Sequence, residues 1–176
     1  MLTTKRAYIS IDSAAMMRKQ AMRVWMLGLL VLSLWVVLIV GAPILKANGL
    51  VAVSSPLYYF FSFICHQITE RSFHIEGEQF AVCSRCFGVY SGLLLGFAVY
   101  PIWRNIAEIE PLPRFWLFLS LIPISIDWAL NFFGIWQNTQ LSRFITGMIV
   151  GVACSTFILP AIVEIARNLT FRRRER

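Results

Sequence analysis

Residues 24–45 read VWMLGLLVLSLWVVLIVGAPIL, an unbroken run with no charged side chain. As a helix rising 1.5 Å per residue, such a run covers a hydrocarbon core of about 30 Å. Pro43 and Lys46 mark its end. Three further runs are also long and predominantly apolar. Residues 87–103 (FGVYSGLLLGFAVYPIW) are closed by Arg104, 115–136 contain Pro123, Asp127 and Asn131, and 144–166 carry Pro160 near their end. A composition of 58% hydrophobic and 14% charged residues, with mean hydropathy +0.68, excludes an ordinary soluble domain. The sequence therefore predicts an all-α integral membrane bundle of four transmembrane helices. With 176 residues it forms a single domain, because spans and short connections use nearly all of the length. A cleaved signal peptide fits poorly: the leader is long, the apolar run exceeds a signal core, and no clean A-x-A site follows.

The stretch 50–64 (LVAVSSPLYYFFSFI) is apolar but short and is interrupted by Ser54-Ser55-Pro56. It is expected to be an interfacial or re-entrant segment at the start of a loop over 46–86. Charge sets the orientation. Lys5, Arg6, Arg18, Lys19 and Arg23 occupy the leader 1–23, and Arg167, Arg172, Arg173, Arg174 and Arg176 the tail 167–176. Basic flanks stay inside, so four crossings put both termini in the cytoplasm and the 46–86 loop on the outer face of a cytoplasmic (inner) membrane. The net charge of +7 is thus a topology signal, and the expected partner is membrane lipid, with no nucleic acid.

Lipid supplies no hydrophobic drive between spans, so helix contacts depend on close backbone approach at small residues. Gly88, Gly92 and Gly96 recur every four residues in the second span, and Gly147, Gly151 and Ser155 in the fourth. The plainer expectation is that the two stripes face neighbouring helices within the chain, each other among the candidates, and the sharper one is that they join a homodimer.

Chemistry concentrates in Cys65-His66 and Cys83-Ser84-Arg85-Cys86. Three thiols and an imidazole are the donor set of a Cys₃His zinc site, and C-x-x-C supplies two thiolates at the spacing of a tight turn. Cys65 would be the third ligand. His66 and His74 compete for the fourth position, since consecutive ligands such as Cys65 and His66 tend to diverge. Glu70, Glu76 and Glu78 read as a solvated face, with replacement of the histidine by one of them as the minor alternative. Cys154, inside the fourth span, is expected to be a buried small apolar residue. The same thiols also allow a redox reading, in which C-x-x-C at a helix N-terminus has a depressed pKa and Cys65 resolves or shuttles. A plain disulfide is the bland alternative. The odd count of three thiols in the loop favours metal.

The string Cys65-His66-Gln67, Glu70-Arg71-Ser72-Phe73, Gln79-Phe80, Cys83-Ser84-Arg85-Cys86-Phe87-Gly88-Val89-Tyr90-Ser91-Gly92 resembles a family of small, mostly prokaryotic membrane proteins known only as a domain of unknown function. The family core C-H-Q…R-S-F…C-x-R-C-x-G-x-Y-x-G is matched at every fixed position, and similarity continues around Asp127, Arg143, Thr146 and Gly147. Where the family tends to have Asp-Gly followed by Gln, this chain has Asp127-Trp128 and then Asn131. The resemblance implies no activity, but it favours His66 over His74 because the Cys-His dipeptide belongs to the motif.

A charge inside a span is costly and needs a partner. Asp127 is expected to face the bundle interior and pair with Arg143 across the short 137–142 connection. Asn131, one turn away, and Tyr90 are expected to join the same polar cavity. Asp127, Arg143 and Tyr90 are the candidate catalytic residues, and Arg71, Arg85 and Asn131 the candidate substrate contacts. Three classes follow: a metal-dependent enzyme or ligand binder at the outer leaflet, a quinone-coupled thiol–disulfide oxidoreductase, and a small transporter or assembly subunit with a structural zinc knuckle.

Overall fold

The computed structural model describes residues 11–174. Its elements are α1 (Ile11–Ala47), α2 (Val51–Ser62), a 3₁₀ turn (Thr69–Arg71), the strands β1 (His74–Ile75) and β2 (Glu78–Gln79), α3 (Ser84–Trp103), α4 (Phe115–Phe132) and α5 (Gln140–Arg174). Four of these helices, α1, α3, α4 and α5, are long and apolar enough to cross a membrane. They turn large apolar side chains outward, Leu30 and Phe118 each being 65% exposed, as a lipid-facing surface requires. The chain is a multi-pass all-α membrane bundle.

Several helix boundaries differ from the sequence reading. The leader is helical from Ile11, so α1 is longer than the 24–45 span, and α5 likewise continues through the basic tail to Arg174. Lys5, Arg6 and Arg176 lie outside the described residues. The third span stops at Phe132, short of Trp136. Gly134 takes φ +67°, its N–H bonds to the Asn131 carbonyl at 3.2 Å, and the Ile135 N–H reaches the Leu130 carbonyl at 3.0 Å. That is a Schellman close, which glycine in the left-handed region permits. Gly49 (φ +76°) ends α1 in the same way, with Leu50 N–H on the Leu45 carbonyl at 2.9 Å.

The ambiguous 50–64 stretch forms a regular helix of 12 residues despite Pro56. At about 18 Å it is too short to cross. Leaving the Gly49 turn, it doubles back beside α1: Phe60 and Phe61, near its far end, meet the Trp35 ring edge-on at 5.5 and 5.4 Å. The loop that follows holds an antiparallel hairpin, with His74 opposite Gln79, whose turn residues Glu76 and Gly77 both have positive φ. The sequence reading contained no strand here.

The bundle centres on α3 against α5. A Cβ added to Gly88 would meet the Phe144 carbonyl, one on Gly92 the Met148 carbonyl, and one on Gly96 the Ser155 hydroxyl. In return, Gly147 lies on the Arg85 carbonyl and Gly151 on that of Val89. The two small-residue stripes therefore face each other within one chain. At the opposite end from the cysteines, α1 joins through Trp25 Nε1–H to the Phe97 carbonyl (2.7 Å) and Gln20 Nε2–H to the Ala166 carbonyl (2.7 Å).

Gly151→Ala should destabilise the bundle by about 2 kcal/mol, since the new methyl group meets backbone that cannot move aside. Gly41→Ala, where a Cβ meets nothing within 4 Å, should change stability by less than about 0.5 kcal/mol. Thermal unfolding of the two variants in detergent gives the comparison; equal effects would show that the stripe is not a close contact.

Candidate metal centre and charged cluster

The loop is fastened to the bundle before the thiols are considered. Gln67, at φ +50°, donates from Nε2 to the carbonyls of Tyr58 (2.7 Å) and Ala81 (2.8 Å), tying the end of α2 to the segment that leads into α3. Buried Ser72 donates to the Ile68 carbonyl at 2.8 Å. Phe73 meets Phe80, Phe87 and Phe144 at ring-centre distances of 5.9, 6.2 and 5.8 Å, joining the loop to α3 and α5. Tyr58 donates to the Gln79 carbonyl, and burial, with Glu78 nearby, pushes its hydroxyl up to about 12. Lys46 pairs with Glu78 at 2.6 Å.

These ties bring Cys65 to Cys83 and Cys86. The three sulfurs lie within 4.8 Å of one another, and those of Cys83 and Cys86 are 3.4 Å apart. The Cys83 N–H donates to the Cys65 sulfur at 3.1 Å. Cys65 is 6% exposed, and the other two are half-buried. Cys83 caps α3, and its thiol is held well below the ordinary range, first by Cys65, then by Cys86, with the backbone amides of Cys86 and Arg85 acting in the same direction against burial. Three thiolates around zinc at about 2.3 Å stand about 3.8 Å apart. The donor set fits such an ion with sulfur shifts of about an ångström or less, the Cys83–Cys86 pair opening slightly from 3.4 Å.

Among the described residues no imidazole stands with the three sulfurs: His66 and His74 are both exposed, the latter on β1. No carboxylate joins the group among the described residues: Glu70 and Glu76 are exposed, and Glu78 is engaged by Lys46. Cys154 is half-buried in α5 and belongs to no such cluster.

Asp127 also has a different partner from the one expected. Arg85, between the two cysteines of C-x-x-C, makes the ion pair with its Oδ2. Arg143 connects one step away. Asn138 donates from Nδ2 to Asp127 Oδ2 at 2.9 Å and accepts from Arg143 Nε at 3.1 Å. Asp127 is 9% exposed and Arg85 25%. Arg71, itself exposed, and Arg85 both lie within electrostatic range of Arg143. Asn131 contributes only a backbone carbonyl, to the close of α4. Tyr90 stands elsewhere, packed with Trp35 at 5.7 Å and with the core around Cys65. The helix explains this division. Cys86 and Tyr90 are four residues apart and share a face, while Arg85 points about 100° away, toward α4.

Sequence reasoning missed Asn138 and Gln67. The first was legible only as an amide in a tight interspan connection, and the second as a fixed motif position whose carbonyl partners are far away in sequence.

Residues 65–157 match the family described as "Predicted membrane protein (DUF2085)", and the chain belongs to it. It is 38% identical over 112 residues to an uncharacterized protein of Methanocaldococcus jannaschii, covering 64% of this chain and 72% of that one. To an uncharacterized protein of Methanothermobacter thermautotrophicus it is 33% identical over 95 residues, covering 52% and 81%. No solved structure matches it.

Asp127→Asn and Arg85→Gln should each cost about 3 kcal/mol, because each leaves a largely buried charge without its partner. The double variant should recover part of the loss. Arg143→Gln, which removes only hydrogen bonds to an amide, should cost about 1 kcal/mol. Unfolding in detergent reads all four; strict additivity of Asp127 and Arg85 would mean that they do not interact.

Proposed function

We propose that this chain is a metal-stapled ligand binder of the membrane, in which Cys65, Cys83 and Cys86 hold a zinc ion that pins the loop beside an arginine-rich site. The observation that carries this reading is the convergence of three sulfurs, one of them 18 residues before the next. A structural zinc contributes its binding free energy to folding, so the ion would fix the first turn of α3 and hence the direction of Arg85. Three thiolates leave a fourth position for solvent or ligand. Arg71, Arg85 and Arg143, against the single charge of Asp127, favour an anionic ligand. The basic residues Arg18, Lys19 and Arg23 at the start of α1 and Arg167 near the end of α5 support cytoplasmic termini, with the thiols on the outer face.

The 3.4 Å separation of the Cys83 and Cys86 sulfurs supports a second reading, a thiol–disulfide oxidoreductase. Metal analysis separates the two. The zinc reading expects about one ion per chain with reduced thiols, whereas a metal-free protein with a dithiothreitol-reducible Cys83–Cys86 bond would establish the redox reading instead.

Cys65→Ser, Cys83→Ser and Cys86→Ser should each abolish bound zinc and lower thermal stability, while His66→Ala and Cys154→Ser should retain the ion. Loss of zinc in His66→Ala would show that the imidazole joins on metal binding. After chelation, a membrane-impermeant maleimide should label Cys83 in intact cells; labelling only after the membrane is opened would reverse the orientation.

A further inference from the structure

The end of the bundle remote from the cysteines carries a second, unrelated site. A cavity of about 460 Å³ there is lined by Arg18 of α1 and by Trp103, Arg104 and Asn105 where α3 ends. A larger cavity, about 660 Å³, runs along α4 and α5 and is walled by apolar groups such as Leu119, Ile149 and Val152. Trp103 lines both. A basic recess and an apolar groove therefore meet at one indole, in the position that tryptophan favours at a membrane interface.

Arg104 has donors to spare. Its Nε and Nη2 engage the Glu108 carboxylate at 3.2 and 3.1 Å, and Nη2 also donates to the Glu110 carbonyl. Nη1 is buried with no partner among the described residues, on a side chain only 12% exposed. A buried donor without an acceptor costs free energy until a ligand oxygen or water supplies one. Glu108 is 46% exposed, so its neutralising effect is screened, and Arg18 adds a charge with no ion-pair partner among the described residues.

We propose that this junction binds an anionic phospholipid, with the phosphate between Arg18 and Arg104 and one chain passing Trp103 into the α4–α5 groove. The two arginines select the charge, and the groove selects a molecule with a long apolar chain over a free anion. A third groove, about 450 Å³ beside Val24, Leu27 and Leu93, is equally apolar but shares no residue with a basic recess. It serves as the internal contrast, a place where lipid packs without headgroup preference.

The full chain, purified in mild detergent and examined by native mass spectrometry, should retain phosphatidylglycerol at least fivefold over phosphatidylcholine of the same chain length. Arg104→Gln should bring the two to near parity. Because Arg104 also holds the α3–α4 connection, Arg18→Gln, on an exposed part of α1, is the second variant and should cut the preference at least threefold. Ala153→Phe, which fills the groove, should lower phosphatidylglycerol retention at least fivefold. Equal retention of the two lipids by the wild type, or a preference that survives both arginine variants, would overturn the proposal. So would glycerol phosphate competing as well as the intact lipid, since that would make the recess an anion site alone. Removing zinc should leave the preference intact, which separates this test from that of the thiol cluster.

Discussion

Everything at the cysteine end of this protein depends on a backbone-to-backbone contact between α3 and α5. Gly88 and Gly92 admit the carbonyls of Phe144 and Met148, and Gly147 and Gly151 admit those of Arg85 and Val89. In lipid, close approach of this kind replaces the hydrophobic drive that would hold helices together in water. Because Gly147 sits on the Arg85 carbonyl, the first turn of α3 has its axial position and rotation set by the helix contact. The side chains of that turn then point where the rotation sends them: Cys86 toward α1 and α2, Arg85 toward α4.

That single turn therefore serves two clusters. On one side Cys83 and Cys86 await Cys65, which the loop delivers through Gln67, Ser72 and the Phe73 ring contacts. On the other, Arg85 meets Asp127. A metal ion on the thiols would stiffen the turn from which the guanidinium extends, and a ligand that drew Arg85 away from Asp127 would pull on the thiol site. The two clusters are mechanically joined without sharing an atom.

The four spans and the glycine stripes were legible in the sequence because each rests on a local property: the length of an apolar run, or the recurrence of a small residue every four positions. The gathering of the three cysteines was legible from their chemistry. Partner choice was not. Asp127 and Arg143 are close in sequence across a short connection, which made them the natural pair, yet the connection itself contributes Asn138 and fills the gap between them. Arg85 is far from Asp127 along the chain, and its role depends on the rotation of α3, which a one-dimensional pattern does not carry. His66 illustrates the converse: it is exposed beside the buried Cys65 and stands outside the group of three sulfurs, so adjacency in sequence does not make a cluster in space.

The position of α4 follows from the same logic. Of its residues only Ser120 is buried, and it packs chiefly on α5. With so little close contact, its place in the bundle depends heavily on the polar bridge from Asp127 to Arg85 and Asn138, formed near one end of the helix. The remainder of α4, which carries Ser120, borders the apolar groove along α5. The helix is thus held by a polar bridge at one end and borders an apolar groove along the other. Occupancy of the groove and integrity of the ion pair would then both bear on the tilt of α4, one from each end of the bundle.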